Sequence, residues 1–219
     1  MPSVKIPRKS TDTDMTPFVD VAFLILSFFM LATKFKPPEP VDITTPMSVE
    51  TEKLADKDAL LVEVDKDGRV FFSMLSKSND DKLKVIDNLD KTRNLGLTTA
   101  EKNTYALSGA IGVPFSQLKS LLDVAPADQP KVKQPGIPVK DSLNNELYYW
   151  VRDAVSAMAG RPHIDFMIKG DNASKYPDFK RIIEAFKRNN IYKFKLVTSP
   201  EDAPVGSPLW DKRRTGPKK

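Results

Sequence analysis

The sequence predicts an α+β protein: a single N-terminal transmembrane helix, then an α/β sandwich domain holding an inserted helical and loop region. Three observations carry that reading. Residues 15–33 form an almost unbroken apolar run, residues 60–74 alternate as a β-hairpin, and residues 144–198 read helix, strand, helix, strand. In order, the segments are a tail over 1–14, the transmembrane helix over 15–35, a linker over 36–58, the outer domain over 59–199 and a basic tail over 200–219. The insertion covers about 76–143.

The helix comes first. MTPFVDVAFLILSFFMLAT has 19 residues and one charge, Asp20. At ~1.5 Å per residue it is about 28 Å long, close to the hydrocarbon thickness of a bilayer. A carboxyl inside such a helix costs about 2.5–3.5 kcal/mol at the bilayer centre and less towards one end. A residue so expensive faces a protein partner or a water-filled path, where it can take up and release a proton. The competing reading is an acid at the membrane edge reaching for water, which a short side chain does poorly. Thr16, Asp20, Phe23, Leu24, Ser27 and Lys34 fall on or near one face, and Asp20, Ser27 and Lys34 recur every seven residues, the spacing of a helix–helix seam. Ser27 alone has a second reading, a hydroxyl bonded back to its own helix. Pro17 is cheap at a helix start, where its missing N–H has no intrahelical partner anyway.

A cleaved signal peptide is the alternative for this segment. The start is basic (Lys5, Arg8, Lys9) and residues 21–32 are apolar, but Asp12, Asp14 and Asp20 lie in or before the apolar part. Met30 and Leu31, ahead of a cut after Ala32, are not the small residues a peptidase wants. An uncleaved anchor is expected. The charge bias across the helix is weak; a short tail staying inside and a long domain translocated give N-in, C-out, with one span.

After the helix, Lys36-Pro37-Pro38-Glu39-Pro40 forces an extended exit. Residues 41–44 are β-prone and predict a short strand, open to strand addition by a partner or a twin, and 46–57 reads as polar linker. Residues 60–64 and 70–74, joined by Asp65-Lys66-Asp67-Gly68, form the hairpin. That turn resembles a calcium loop only in part, since Ser76 stands where the twelfth-position Glu is required.

Within the insertion, Leu83, Ile86 and Leu89 mark a weak helical face over 80–90. Thr98 or Thr99 ahead of Glu101 signals a helix start, 114–122 predicts another short helix, and 126–140, with four prolines, reads as loop. No chemistry is visible there. From residue 144 the pattern sharpens. Leu147, Tyr148, Val151, Ala154, Val155 and Met158 share a helical face ended by Gly160 and Pro162. A strand follows over 164–168, then a helix over 176–189 with Phe179, Ile182, Ile183 and Phe186 as its stripe. A strand over 191–197 closes the unit, and a right-handed crossover would pair these two strands in parallel.

Composition excludes much. The 219-residue chain has no cysteine and one histidine, so neither a thiolate nor a histidine-rich metal site is expected, and His163 reads as a surface residue at a strand edge. The net charge is +5, and five basic residues crowd the last eight positions, so the surplus belongs to a tail. No nucleic-acid motif accompanies it. There is no phosphate loop, no nucleophile elbow and no histidine partner for a serine, so no enzyme, cofactor or metal is expected.

Met15-Thr16-Pro17-Phe18-Val19-Asp20-Val21 followed by an apolar run resembles the ExbD/TolR family. So do Ala159-Gly160-Arg161-Pro162, the strand over 164–169, Tyr176-Pro177-Asp178-Phe179, and Ile191-Tyr192-Lys193 with Leu196-Val197-Thr198. The likeness covers about residues 12–74 and 144–198; the stretch over 76–143 is longer than the family's link, and the tail after 200 is extra. The resemblance implies a single-pass protein of the cell inner membrane, with a cytoplasmic N-terminus and a periplasmic domain. It further implies that Asp20 is the proton-carrying carboxylate, and that the partners are an ExbB-like multi-span membrane protein, a second copy of this chain, a TonB-like protein and membrane lipid. The function implied is a proton-channel or stator subunit that uses the proton motive force to energise TonB-dependent outer-membrane transport. A TolR-like role in outer-membrane integrity is the alternative within the family. From another class, the alternative is a membrane-tethered periplasmic binding module without proton transport.

Overall fold

The computed structural model describes residues 15–32, 39–49, 58–76, 78–139, 145–201, 204–205 and 207. The chain divides into two units, residues 1–36 and residues 37–219. The first contains one helix, α1 (Thr16–Ala32), of 17 residues. At ~1.5 Å per residue that is about 25 Å, and among the described residues no helix is long and apolar enough to cross a membrane. Residues 33–35 of the expected span, Lys34 included, and the tail over 1–14 lie outside the described residues.

The second unit is a mixed α+β fold. Its main sheet has four strands in the order β3-β2-β4-β5: β2 (Ala59–Val64), β3 (Val70–Leu75), β4 (Asp165–Gly170) and β5 (Lys195–Val197). β2 and β3 are the expected hairpin, antiparallel from Ala59↔Leu75 to Val64↔Val70. Its turn is fixed by buried Asp65, whose Oδ1 accepts from the amides of Asp67 (3.0 Å) and Arg69 (2.8 Å). Gly68 supplies the positive φ of 76° that closes it. β4 and β5 pair in parallel as expected, and β4 also pairs parallel to β2.

Because side chains alternate along a strand, Leu60, Val62, Val64, Val70, Phe72, Met74 and Ile168 share one face. They enter a core with Val85, Ile86 and Leu89 of α2 (Asn79–Arg93), Leu147, Trp150, Val151 and Ala154 of α5 (Glu146–Ala157), and Ile182, Ala185 and Phe186 of α6 (Tyr176–Arg188). The stripe of α5 therefore runs through Trp150, while Tyr148 and Val155, expected on that face, are half-buried at its flanks.

Two expected strands differ. Residues 41–44 form no strand: the Thr44 amide donates to Asp171 Oδ2 (3.0 Å) and its carbonyl accepts from the Asn172 amide (2.8 Å), so a loop beyond β4 takes the backbone groups a strand would use. The linker's strand is β1 (Met47–Ser48), paired parallel with β6 (Ser199–Pro200). The strand expected over 191–197 begins only at Lys195, because Asn190 turns left-handed (φ 59°) and Ile191 donates back to the Phe186 carbonyl (3.0 Å), closing the helix end.

The segment expected as an insertion contributes α2, α3 (Thr99–Leu107) and α4 (Phe115–Leu122). The helix start read at Thr98 is a capping box, Thr98 accepting from the Glu101 amide and Glu101 accepting from the Thr98 amide. The proline-rich stretch contains one 3-10 turn, Gln129–Lys131, and is packed: Ile137 and Val139 are buried. It also shields the outer edge of β3. Phe72 and Ile111 exchange amide–carbonyl bonds of 2.8 Å in both directions, and Ile137 donates to the Val70 carbonyl (2.8 Å). An edge strand left bare invites pairing with another chain; here the sheet is continued by its own sequence.

Candidate functional site

The site read from the sequence lies on α1. Its start follows from Pro17, which has no amide hydrogen and stands in the first turn, where that donor would be idle. The Met15 carbonyl accepts from Phe18 and Val19, each at 3.1 Å. With about 100° between successive residues, Thr16, Asp20, Phe23, Leu24 and Ser27 occupy one side. Ala22, Ile25, Leu26, Phe29 and Met30 line a shallow apolar recess elsewhere on the helix. Asp20 is exposed and is the sole ionisable group of α1. Phe23 and Leu24 are exposed beside it. Ser27 Oγ donates to the Leu24 carbonyl at 2.9 Å, the back-bonded arrangement that was one of its two readings. Its lone pairs stay available to a donor from another helix. The structure thus brings Asp20 and its face-mates together on one rigid element.

The second unit has charges that are paired rather than poised. Arg161, in the Ala-Gly-Arg-Pro turn after α5, bonds both Asp58 before β2 and buried Asp81 in the first turn of α2. Lys102 lies 2.8 Å from both Asp87 and Asp90, and these carboxylates raise its pKa above the ordinary lysine value. On the sheet face opposite the core, the Lys169 ammonium lies 3.0 Å from buried Glu63 and also bonds Glu39 of the linker. His163 is exposed, as read, 3.2 Å from Asp165. Among the described residues no group of three or more His, Cys, Asp or Glu side chains could hold a metal.

Sequence reasoning missed the aromatic centre of this unit. Trp150 is 0% exposed and stacks against Phe72 (5.5 Å) and Tyr105 (5.6 Å), with Phe115 at 5.7 Å. The signal was present: Leu147, Trp150, Val151, Ala154 and Met158 follow helical spacing better than the set containing Tyr148 and Val155.

The described residues thus hold an apolar helix bearing one carboxyl and an α+β domain whose charges are paired. The family model described as biopolymer transport protein ExbD/TolR matches residues 7–201. The chain belongs to the ExbD/TolR family. That match includes the stretch over 76–143 within one continuous range. No curated protein and no solved structure matches the chain. The family is one of inner-membrane, transport-associated proteins that are not enzymes, and it works with ExbB/TolQ-like membrane proteins and TonB/TolA.

Proposed function

We propose that this protein is the proton-channel or stator subunit of an ExbB–ExbD-like inner-membrane motor, which uses the proton motive force to energise TonB-dependent outer-membrane transport. The observation that carries the reading is Asp20, the only ionisable side chain on α1, set among apolar neighbours within the family match. A carboxyl in that position is costly unless it exchanges a proton or meets a partner. Each proton crossing under the membrane potential delivers ~2.3 kcal/mol per 100 mV, enough to bias a conformational change.

In this reading α1 spans the inner membrane once, with the N-terminus cytoplasmic and residues 37–219 periplasmic. The span read from the sequence covers residues 15–35, against roughly 20 residues needed to cross a bilayer, and α1 is its described part. The face of Thr16, Pro17, Asp20, Phe23, Leu24 and Ser27 meets an ExbB-like multi-span protein that encloses two copies of this helix, and a TonB-like protein receives the motion.

Asp20→Asn, expressed in a strain lacking the native gene, tests this. Normal membrane abundance with loss of uptake of a large TonB-dependent nutrient is the expected result. Intact uptake with new detergent sensitivity would move the role to TolR-like envelope maintenance. A variant active in both assays would leave the protein a tethered binding module.

A further inference from the structure

Residues 39–48 lie against the domain without joining its core. None of residues 39–49 is buried, and neither Val41 nor Ile43 belongs to the apolar cluster or packs against it. The contacts that hold the segment are polar. Glu39 bonds Lys169 of β4. The Thr44 amide donates to Asp171 Oδ2, and the Thr44 carbonyl accepts from the Asn172 amide. Thr45 Oγ1 meets Ser199 Oγ at 2.6 Å. The Pro46 and Ser48 carbonyls accept from the Ser199 and Glu201 amides, each at 2.9 Å.

The groups that receive the segment keep partners without it. Lys169 stands opposite Glu63 in the β2–β4 register and lies 3.0 Å from its carboxylate. Two carboxylates thus share one ammonium, and the Glu39 side chain is 36% exposed against 4% for Glu63. Glu39 is the acid free to leave, because its departure returns a neutral pair to the sheet and strands no buried charge. Asp171 likewise retains the Ala173 amide on Oδ1 (2.9 Å), and its own amide stays on the Val64 carbonyl (2.9 Å). Ser199 is half-buried and Glu201 exposed, so water can replace the carbonyls that their amides lose. The opposite edge of the sheet has no such freedom: Phe72 and Ile111, joined by two backbone bonds, are each 1% exposed. We propose that residues 39–48 are a strap that opens as a unit while the four-stranded sheet stays folded, with Glu39 and Lys169 as its salt-sensitive latch. Opening frees the chain ahead of β2 and bares the Ser199 and Glu201 amides. The strap does not depend on proton coupling through Asp20.

The test is amide hydrogen exchange of the full chain in a neutral detergent, read residue by residue by NMR at low and high sodium chloride, about 0.05 and 0.5 M. The amides of Thr44, Asn172, Ser199 and Glu201 are expected to share one protection, lower than that of the β2–β4 ladder, and to lose it together as salt rises. Glu39→Gln speeds exchange at all four about two- to fivefold at low salt, the range of a partly exposed ion pair, and cancels the response to salt. Exchange across the β2–β4 ladder stays as in the parent, which also shows that the variant is folded. Protection of the four amides equal to that of the ladder overturns the proposal, because the strap would then open only with the whole domain. Four unrelated protections also overturn it, as does a Glu39→Gln variant that exchanges like the parent or loses its ladder protection as well.

Discussion

Glu146 shows how one side chain can serve structure at an electrostatic cost. It opens α5, where a negative charge suits the helix dipole, and holds the first amide of α4 through Phe115. Burial of its carboxyl raises its pKa above the ordinary 4.5, against the opposing pull of the Phe115 amide and the Arg93 charge. The folded state therefore binds this proton more tightly than the unfolded state does. Stability is lost as pH rises from about 4.5 towards the raised value, and it stays lower beyond. Glu146→Gln keeps an acceptor for Phe115 and removes the charge. Its melting temperature should exceed the parent's at pH 7, with the difference vanishing below about pH 4.5; a lower melting temperature at pH 7 would show that the charged bond outweighs burial. The capping box at Thr98 and Glu101 was legible because its residues are three apart. The stacking of Arg93 on the Phe115 and Tyr149 rings was not, since those rings come from distant residues.

At the scale of elements, the linker is fastened by polar groups. Residues 39–48 touch the domain through Glu39 to Lys169, Thr44 to the 171–172 loop, Thr45 to Ser199 (2.6 Å) and the β1–β6 pairing. The Asp171 carboxylate is held below its usual range by the amides of Ala173 and Thr44 that donate to it. Because its folded pKa is depressed, its contribution is present above 3.8 and lost as pH falls through the lower folded value. Asp171→Ala should speed hydrogen exchange at the Thr44 amide at neutral pH while leaving the β2–β3 ladder protected. Equal exchange in variant and parent would mean that Asp171 does not hold the linker. The hairpin could be read from alternation and its Asp-Lys-Asp-Gly turn. The strand expected over 41–44 could not be settled locally, because β-propensity says nothing of a backbone partner more than a hundred residues away.

For the domain as a whole, the long middle segment behaves as part of the core. Trp150 joins Phe72 of the hairpin to Tyr105 and Phe115 of that segment. Two backbone links at Ile111 and Ile137 continue the sheet. The segment's helices were legible from the Leu83, Ile86 and Leu89 face, the Thr98–Glu101 start and the 114–122 run, but the sequence did not show that Tyr105, Phe115, Ile111 and Ile137 pack into one core with the hairpin. Trp150→Ala should cost about 3–5 kcal/mol, and amides over 79–139 should lose protection together with β2 and β3. Earlier opening of 79–139 alone would make it a separate folding unit.

Asp20 is proposed as a proton-exchanging carboxyl in an apolar setting. Hydrophobic carbodiimides modify protonated carboxyls in such settings, so native membranes treated with dicyclohexylcarbodiimide test it most directly, with mass spectrometry locating the adduct and nutrient uptake measured in parallel. Modification of Asp20 with uptake lost in step is the predicted result; an unmodified Asp20, or a modified one with uptake intact, would contradict it.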